Sequence, residues 1–500
     1  MAKVKEDYAY GHIIDALAGG LYPNKFHVIR EYIQNAFDAI VDFRQKTKER
    51  GLEIKIAINK PSIFIFDNGT GMNKHTLNEY RKIGFSKKKA GKFAGFRGIG
   101  KLAGISVAEK LIVTTSPKGI KEKYILEFDS ESMLKTISKL KKKQDNISLN
   151  DLISKYSSIR VEQEDINAHY TFIELHKIKS DSKILFDKQK LKDYIATNAP
   201  VPFDPRFQYG KDIEEDIKNF VDDYDSVNIS IGTEKVYKQN VPNLRSHKHI
   251  IVRDNKNKEI AFCWYCENIN KGQIRPIENA GLIFRHKNIA IGDNYLVRKS
   301  IWDNSPHLSF YFVGEIYILG SYVLPTSQRD DFLQSDNREI LYKKSKVISQ
   351  ELNKIARKSS DIRKAREYSE EGLEKIVKLK DDIKNNKPVL MELKENIEVE
   401  IHNIIRSIKA RKKNIPFSDT KTKSVAEKAI SEGLNTLKEL RMINKSKMKS
   451  EHEKTISEYK SNVIYKAAIK TFKDYFGDRI EDIKAIIEIF EKNINKSSKK

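Results

Sequence analysis

The segment that most constrains the fold is residues 26–40, where polar and apolar residues separate onto two sides of a predicted helix. At 100° per residue, Glu31, Asn35 and Asp38 fall within about 60° of one another. The apolar residues on the opposite side are Phe26, Ile29, Ile33, Phe37 and Ile40. The pattern therefore predicts a helix with one face in a core. The other face carries a carboxylate and a carboxamide one turn apart.

The polar side of this helix has the groups that metal-assisted hydrolysis requires. Mg²⁺ prefers oxygen ligands, and the side-chain carbonyl of Asn35 is one. The carboxylate of Glu31, one turn away, can orient and deprotonate a water molecule. A solvated polar face is the alternative explanation, and this helix alone does not decide between the two.

Residues 62–72 run from an apolar strand into the motif Asp-x-Gly-x-Gly-Met, which begins at Asp67. An ionised aspartate only accepts hydrogen bonds, so Asp67 can bind an exocyclic amine such as that of adenine. Glycines after it let the backbone approach a flat ligand closely. A tight turn capped by Asp67 is the alternative.

Residues 91–104 hold glycines at 95, 98 and 100 before a predicted helix over residues 102–109. Backbone N–H groups at a helix N-terminus bind phosphate. A Walker A loop is excluded because Leu102, and not Ser or Thr, follows Lys101. A Rossmann loop needs a strand directly before its glycines, whereas residues 86–92 are basic and polar. The segment therefore favours a lid over phosphates.

Residues 170–175 form a predicted strand that carries Thr171. Its hydroxyl can close a water network around a base, although threonine is common in strands. This motif is informative only together with the three motifs that precede it.

In this order, the four motifs resemble those of the GHKL ATPases, the superfamily of gyrase B, the Hsp90-type chaperone, sensor histidine kinases and MutL. The resemblance covers roughly residues 10–200 and implies a Bergerat-type α/β sandwich that binds ATP and Mg²⁺. It implies that Glu31 is the general base, that Asn35 binds Mg²⁺ and that Asp67 binds the adenine amine. The other implied nucleotide contacts are Gly69, Gly71 and Met72 beside the base, Thr171 in its water network, and Gly95, Gly98, Ile99, Gly100 and Lys101 along the triphosphate. Asp38 is expected to support the helix.

Within the superfamily, the pattern is closest to prokaryotic Hsp90-like and MORC/MutL-like ATPases. A histidine kinase needs a phospho-accepting histidine on an upstream helix, whereas only about thirty residues precede Glu31 in this sequence and the motif around Glu31 lacks the kinase pattern. Residues 198–204 resemble the joint into the ribosomal-S5-like transducer domain of these relatives.

Residues 323–332 resemble the transducer loop that reaches the ATP site. Arg329 is the candidate cation there, because a guanidinium can neutralise charge that develops on the γ-phosphate. A surface arginine paired with Asp330 or Asp331 is the alternative.

The expected architecture is α+β with three parts: a GHKL ATP-binding domain (1–200), an S5-like α/β transducer domain (201–335) and an α-helical or coiled-coil region (336–500). Expected strands of the second part are 227–231, 250–252, 259–264, 281–284 and 310–318. In the third part, Ile376, Leu379 and Ile383 follow the spacing of a coiled-coil seam. That region is expected to dimerise or to bind a partner.

The chain has 93 basic and 69 acidic residues, for a net charge of +24. Residues 341–500 hold 39 Lys and Arg against 25 Asp and Glu, or +14. Such an excess favours a polyanionic partner such as nucleic acid, although a lysine-rich proteome bias would give the same balance. Two cysteines fit a reducing compartment, and Cys263 and Cys266 lack the second ligand pair of a zinc site.

From these features the chain is expected to be a cytoplasmic Mg-dependent ATPase without a membrane segment. We expect a homodimer that works as an ATP-gated clamp on nucleic acid, within a prokaryotic restriction or anti-phage defence system that includes an operon partner protein. Two alternatives remain open: an Hsp90-like remodeller of a protein client, and a scaffold that binds ATP for an effector partner. The presence of Glu31 argues against a scaffold that does not hydrolyse ATP.

Overall fold

The computed structural model describes residues 23–81, 100–143, 147–385 and 390–442, together with residues 467 and 470. The chain divides into two compact units between Ala356 and Arg357. The first unit contains two β-sheets with helices, and the described part of the second is helical. The predicted fold class, mixed α/β with a helical C-terminal region, is confirmed.

The helices are α1 (Phe26–Thr47), α2 (Lys74–Tyr80), α3 (Ser130–Lys143), α4 (Leu149–Tyr156), α5 (Lys188–Asn198), α6 (Gly210–Phe220), α7 (Asn294–Ile301), α8 (Asp336–Asn385), α9 (Leu390–Lys412) and α10 (Thr420–Met442). The strands are β1 (Glu53–Asn59), β2 (Ser62–Asp67), β3 (Ala108–Ser116), β4 (Glu122–Asp129), β5 (Ser157–Gln163), β6 (Tyr170–Ile178), β7 (Asn228–Ile231), β8 (Glu234–Val236), β9 (Leu244–Arg253), β10 (Glu259–Asn268), β11 (Gly281–His286), β12 (Ile289–Ile291) and β13 (Phe312–Ile318).

The first sheet has eight strands in the order β5-β4-β3-β6-β2-β1-β7-β8. Its neighbours pair antiparallel except β1 and β7, which are parallel. Helix α1 contributes its apolar side to the core of this sheet, where Ile29, Ile33, Phe37 and Ile40 are buried. The predicted amphipathic helix is thus confirmed.

The helix predicted over residues 102–109 is wrong at its end, since only residues 102–106 are helical. A 3₁₀-helix covers Gly100–Ser106, and β3 begins at Ala108. The reason is tertiary, because β3 pairs with β4 on one side and with β6 on the other. Two ladders of backbone hydrogen bonds outweigh the small local preference for helix.

The second sheet has the order β12-β11-β13-β10-β9, and only its β11–β13 pair is parallel. The strands expected beyond residue 200 are all present. Two strands of three residues each, β8 and β12, were not expected because they are too short to show a period. Strands β7 and β8 join the first sheet, which therefore draws on both sides of residue 200. The domain boundaries stay predictions.

The second unit contains the end of α8 together with α9 and α10. Ile383 of α8 shares a buried cluster with Ile401 of α9 and Leu437 of α10, and Leu379 packs against it. The predicted seam of α8 thus packs within the unit, and the coiled coil stays a prediction. The sequence predicts helix breaks at Pro388, Pro416 and Gly477. Pro416 lies between α9 and α10, whereas Pro388 and Gly477 are outside the described residues. Among the described helices, none is long and apolar enough to cross a membrane.

A buried ion network stabilises the second sheet around Glu315. The Lys238 ammonium donates to its carboxylate at 2.7 Å, the Trp264 indole N–H at 3.1 Å and the Tyr317 hydroxyl at 2.8 Å, and the Arg285 guanidinium also pairs with it. Burial alone would raise the pKa of Glu315, but the two cations outweigh burial and lower that pKa to about 2. Glu315 is therefore an ionised carboxylate whose charge is compensated.

The same network reaches the first sheet and its helices. Arg285 donates to the Thr197 carbonyl at the end of α5 at 2.9 Å and to the Asn288 carbonyl at 3.0 Å. The Asn288 amide donates to the Asp225 carbonyl at 2.9 Å, and Arg44 of α1 pairs with the Asp225 carboxylate at 2.5 Å. Polar contacts between buried and partly buried groups therefore connect the second sheet to helices of the first.

We expect Glu315→Ala to lower the free energy of unfolding of the first unit by roughly 3–5 kcal/mol, because it leaves two buried cations uncompensated. The measurement is urea unfolding followed by tryptophan fluorescence. The matched control is Glu278→Ala on an exposed turn, where a change below about 0.5 kcal/mol is expected. Equal effects of the two substitutions would show that the network contributes little.

Candidate functional site

Three polar side chains form a row across adjacent strands of the first sheet. Asp67 at the end of β2 lies opposite Thr171 of β6, and Thr171 lies opposite Thr115 of β3. Residues directly opposite in antiparallel strands project from the same face. The two threonine hydroxyls are 3.3 Å apart, and Asp67 and Thr115 are buried. The structure thus brings Asp67 and Thr171 together, as the resemblance implied.

Thr115 is a site residue that the sequence analysis missed. Its hydroxyl oxygen accepts the Met72 backbone N–H at 2.9 Å, and the hydroxyl donates to the Tyr170 carbonyl at 2.8 Å. It thereby ties the glycine-containing turn to the sheet. The only signal in the sequence is the polar run Thr114-Thr115-Ser116 directly after the apolar residues Leu111, Ile112 and Val113.

The turn after Asp67 depends on two glycines. Asp67 Oδ1 accepts the Gly69 N–H at 3.0 Å, so the tight turn capped by Asp67 is present. A carboxylate offers about four acceptor positions, so this bond does not exclude ligand binding. Gly71 has a φ of +61°, and a Cβ there would lie 2.0 Å from the Ser116 carbonyl oxygen. Only glycine fits at this position.

His169 is a second residue that the sequence analysis missed. Its Nδ1 lies 3.0 Å from the Gly69 carbonyl oxygen, and its ring stacks on Phe43 of α1 with centroids 4.1 Å apart. Its Nε2 lies 3.4 Å from a Glu49 carboxylate oxygen. The histidine therefore positions the turn from the side of α1.

Glu31 lies on the polar side of α1, with 14% of its side chain exposed. Its Oε1 is 3.5 Å from Arg30 Nη2, and the same nitrogen donates to the Gln328 carbonyl at 2.9 Å. Burial raises the pKa of Glu31, while the cations of Arg30 and Arg329 oppose that rise. The carboxylate is thus more basic than an ordinary glutamate, and two guanidinium groups influence it.

The described end of the glycine-rich segment is fixed against α1 and α2. A Cβ on Gly100 would lie 1.9 Å from Glu31 Oε2, so the backbone there is in direct contact with the carboxylate. The Gly104 N–H donates to the Tyr32 hydroxyl at 2.7 Å. Lys101 lies in the same turn and is buried, and its Nζ donates to the Glu79 carbonyl at 2.9 Å. The expected contacts Gly95, Gly98 and Ile99 lie outside the described residues.

Arg329 is buried, with 4% exposed, so the surface-arginine alternative is wrong. It follows Gln328, whose carbonyl contacts Arg30, and its charge acts on Glu31. Its own carbonyl accepts the Gly292 N–H at 2.7 Å. The nearby Asp331 pairs with Arg338 at 2.6 Å. The loop of residues 323–332, which the sequence predicted to reach the ATP site, therefore lies next to α1 in the structure.

Asn35 lies one turn after Glu31 on α1 and is partly exposed. In the part of the chain that the structure describes, no group of three or more His, Cys, Asp or Glu side chains is arranged to hold a metal ion. Cys263 and Cys266 are both buried, and they belong to different hydrophobic clusters.

Comparison with known families agrees with this geometry. A family profile described as histidine kinase-, DNA gyrase B- and HSP90-like ATPase matches residues 24–160. Residues 24–160 therefore match an ATPase domain of the GHKL type. The match includes Glu31, Asp67 and Gly100 and ends before Thr171. The superfamily predicted from the motifs is thus confirmed.

The chain is also similar, over about 150 residues, to the chaperone protein HtpG of several Rickettsia species. The chain is 30% identical over 150 residues to the chaperone protein HtpG of Rickettsia canadensis, covering 25% of this chain and 24% of that protein. HtpG of Rickettsia bellii is 28% identical over 152 residues, covering 26% and 24%. HtpG of Rickettsia typhi is 29% identical over 150 residues, covering 25% and 24%. The chain thus spans about a quarter of the length of these relatives.

We expect Thr115→Val to weaken ATP binding roughly fivefold to tenfold, because the turn loses the hydrogen bond to its Met72 amide, a loss of about 1 kcal/mol. Isothermal titration with a non-hydrolysable ATP analogue measures this effect. Thr114→Val, one position earlier on the same strand and on its other face, is the matched control. Unchanged affinity in Thr115→Val would remove this residue from the site.

Proposed function

We propose that this chain binds and hydrolyses ATP with Glu31 as the general base. The observation that carries the proposal is the setting of its carboxylate, which contacts Gly100 and lies beside Arg30 on α1. Burial makes this carboxylate a better proton acceptor than an exposed one. In the proposed reaction, Glu31 takes a proton from the water that attacks the γ-phosphate.

The adenine end of the nucleotide is proposed to lie at the row of Asp67, Thr171 and Thr115. Asp67 accepts a hydrogen bond from the exocyclic amine. Gly69, Gly71 and Met72 bring the backbone close to the base. This placement is supported by the close approach of Gly71 to Ser116, which a side chain would prevent.

The residues present fit a nucleotide-bound Mg²⁺. Such an ion keeps several waters and is usually held by substrate phosphates with one or two protein oxygens. Asn35 would supply an oxygen one turn from the proposed base. When bound, the ion neutralises charge on the phosphates. Gly95, Gly98, Ile99, Gly100 and Lys101 are proposed to line the triphosphate.

Arg329 is proposed to stabilise the charge that develops on the γ-phosphate. A guanidinium in a buried position acts more strongly there than one in water. Its loop already contacts α1 through the Gln328 carbonyl and Arg30. A bound nucleotide that attracts Arg30 or Arg329 would change the contact between Arg30 and the Gln328 carbonyl. Nucleotide binding would thereby alter the position of the loop that follows the second sheet.

On this basis the chain is proposed to be an ATP-gated dimeric clamp, with domains at 1–200, 201–335 and 336–500. The proposed client is nucleic acid, because the last third of the chain carries +14 of the +24 net charge. A role in restriction or phage defence with an operon partner protein belongs to the same proposal.

The second candidate is an ATP-driven remodeller of a protein client. The similarity to the HtpG chaperones favours it, since those relatives are named as chaperones. That similarity covers about a quarter of each protein, so it supports the ATPase module more than the client.

The decisive experiment compares steady-state ATP hydrolysis by the wild type, Glu31→Ala and Asp67→Asn. We expect Glu31→Ala to lose roughly 10²–10⁴-fold in turnover while ATP still binds, because only the proton acceptor is removed. We expect Asp67→Asn to weaken ATP binding roughly 10–100-fold, because a charged acceptor is lost. Glu109→Ala, a surface carboxylate on β3, is the control.

The same assay, with nucleic acid added at two salt concentrations, distinguishes a nucleic-acid client from a protein client. Stimulation that declines with salt and requires Glu31 supports the nucleic-acid clamp. A Glu31-dependent turnover rate that nucleic acid does not change favours a protein client. Wild-type turnover in Glu31→Ala would contradict the proposed base.

We expect Arg329→Ala to lower turnover roughly 10²–10³-fold with little change in ATP affinity. It should also move the acid limb of the pH–rate profile to higher pH. A neighbouring cation lowers the pKa of Glu31, so its removal raises that pKa and protonates the base at higher pH. Arg329→Lys keeps the charge and should leave the limb near its wild-type position. An unmoved limb in Arg329→Ala would place Arg329 outside the site.

A further inference from the structure

A basic cleft lies between the end of α9 and the start of α10. It has a volume of about 650 Å³, and its apolar floor includes Ile415, Ile430 and Leu434. The charged residues that line it are Lys409, Lys412, Lys413, Lys423 and Glu427. Four ammonium groups against one carboxylate give the cleft wall a local charge of +3.

The basic side chains of residues 409–413 make different contacts. Arg411 lies 3.7 Å from the ring centroid of Tyr368 on α8 and donates to the Ser407 carbonyl at 3.3 Å. It therefore holds α9 against α8. Lys412 pairs with Glu427 across the cleft at 2.7 Å. Lys409 and Lys413 are exposed at the wall.

Phe417 stands beside the cleft with 91% of its surface exposed. The Lys423 ammonium, which lines the cleft, lies 4.1 Å from its ring centroid. The loop that presents the ring is well anchored, because Ile415 is buried, and the Asp419 N–H donates to the Pro416 carbonyl at 3.1 Å. An exposed aromatic ring beside a cation is a feature of surfaces that bind single-stranded nucleic acid.

We propose that this cleft binds single-stranded nucleic acid, with one base stacked on Phe417 and the adjoining phosphates on Lys409, Lys413 and Lys423. The inference rests on the proposed nucleic-acid client and names where that client is held. A single strand is favoured over a duplex because a duplex keeps its base faces stacked and unavailable to Phe417. The apolar floor can accept sugar or base, while the wall neutralises phosphate.

The test is fluorescence anisotropy with the full-length protein and a labelled oligo(dT) strand across a salt series. Phe417→Ala should weaken binding roughly tenfold, and Phe417→Tyr should restore it because stacking needs only a ring. The triple substitution Lys409→Gln, Lys413→Gln and Lys423→Gln should weaken binding. It should also reduce the slope of log K against log salt by about 2, since each phosphate contact on a single strand contributes about 0.7.

The matched control removes three exposed lysines of the first unit, Lys211→Gln, Lys235→Gln and Lys256→Gln. It changes the net charge equally and should leave affinity close to wild type. A blunt duplex hairpin should bind more weakly than oligo(dT). Thermal melting confirms that every variant is folded, and the substituted side chains are exposed or partly exposed.

The outcomes distinguish this inference from the proposed function. Equal affinity of the cleft and control triple variants would overturn the cleft, and the clamp would stand if oligo(dT) still stimulated hydrolysis. Binding of a labelled polyglutamate peptide that requires Phe417, without binding of oligo(dT), would overturn it in favour of an acidic protein. Oligo(dT) binding that requires Phe417, with no Glu31-dependent hydrolysis, would support the cleft and contradict the ATPase.

Discussion

The site depends on how a buried carboxylate is kept ionisable. Removing Glu31 from water makes its charged form unfavourable, and the cations of Arg30 and Arg329 oppose that effect. One of the two comes from the same helix and the other from a loop almost three hundred residues later in the chain. The basicity of Glu31 is therefore a property of the assembled first unit, and any motion of the loop changes it.

A polar contact joins the loop that carries Arg329 to helix α1, which carries Glu31. The same Arg30 nitrogen binds the Gln328 carbonyl and lies beside Glu31, so the position of the loop and the charge environment of the Glu31 carboxylate are linked. The buried network around Glu315 has a complementary effect. Because Arg285 binds the Thr197 carbonyl, the second sheet is held to the end of α5.

Much of the N-terminal site could be predicted from the sequence because its motifs are local. The helix that carries Glu31 follows from its apolar period, and the turn after Asp67 follows from glycines that no other residue replaces. Thr115 and His169 could not be predicted, because each acts through one hydrogen bond to a turn more than forty residues away in the chain. The end of the helix predicted over residues 102–109 was wrong because strand pairing, a non-local effect, decides the residues from Ala108 onward.

The sequence by itself determined the superfamily, the amphipathic helix, the acceptor at Asp67 and the basic balance of the C-terminal third. These features are local patterns or sums over residues, so they do not depend on how the chain packs. The tertiary structure decided that Arg329 is buried near Glu31, that Arg411 contacts Tyr368 and that Phe417 is exposed beside Lys423. Burial and the distance between charges are properties of packed elements, and a linear spacing does not contain them.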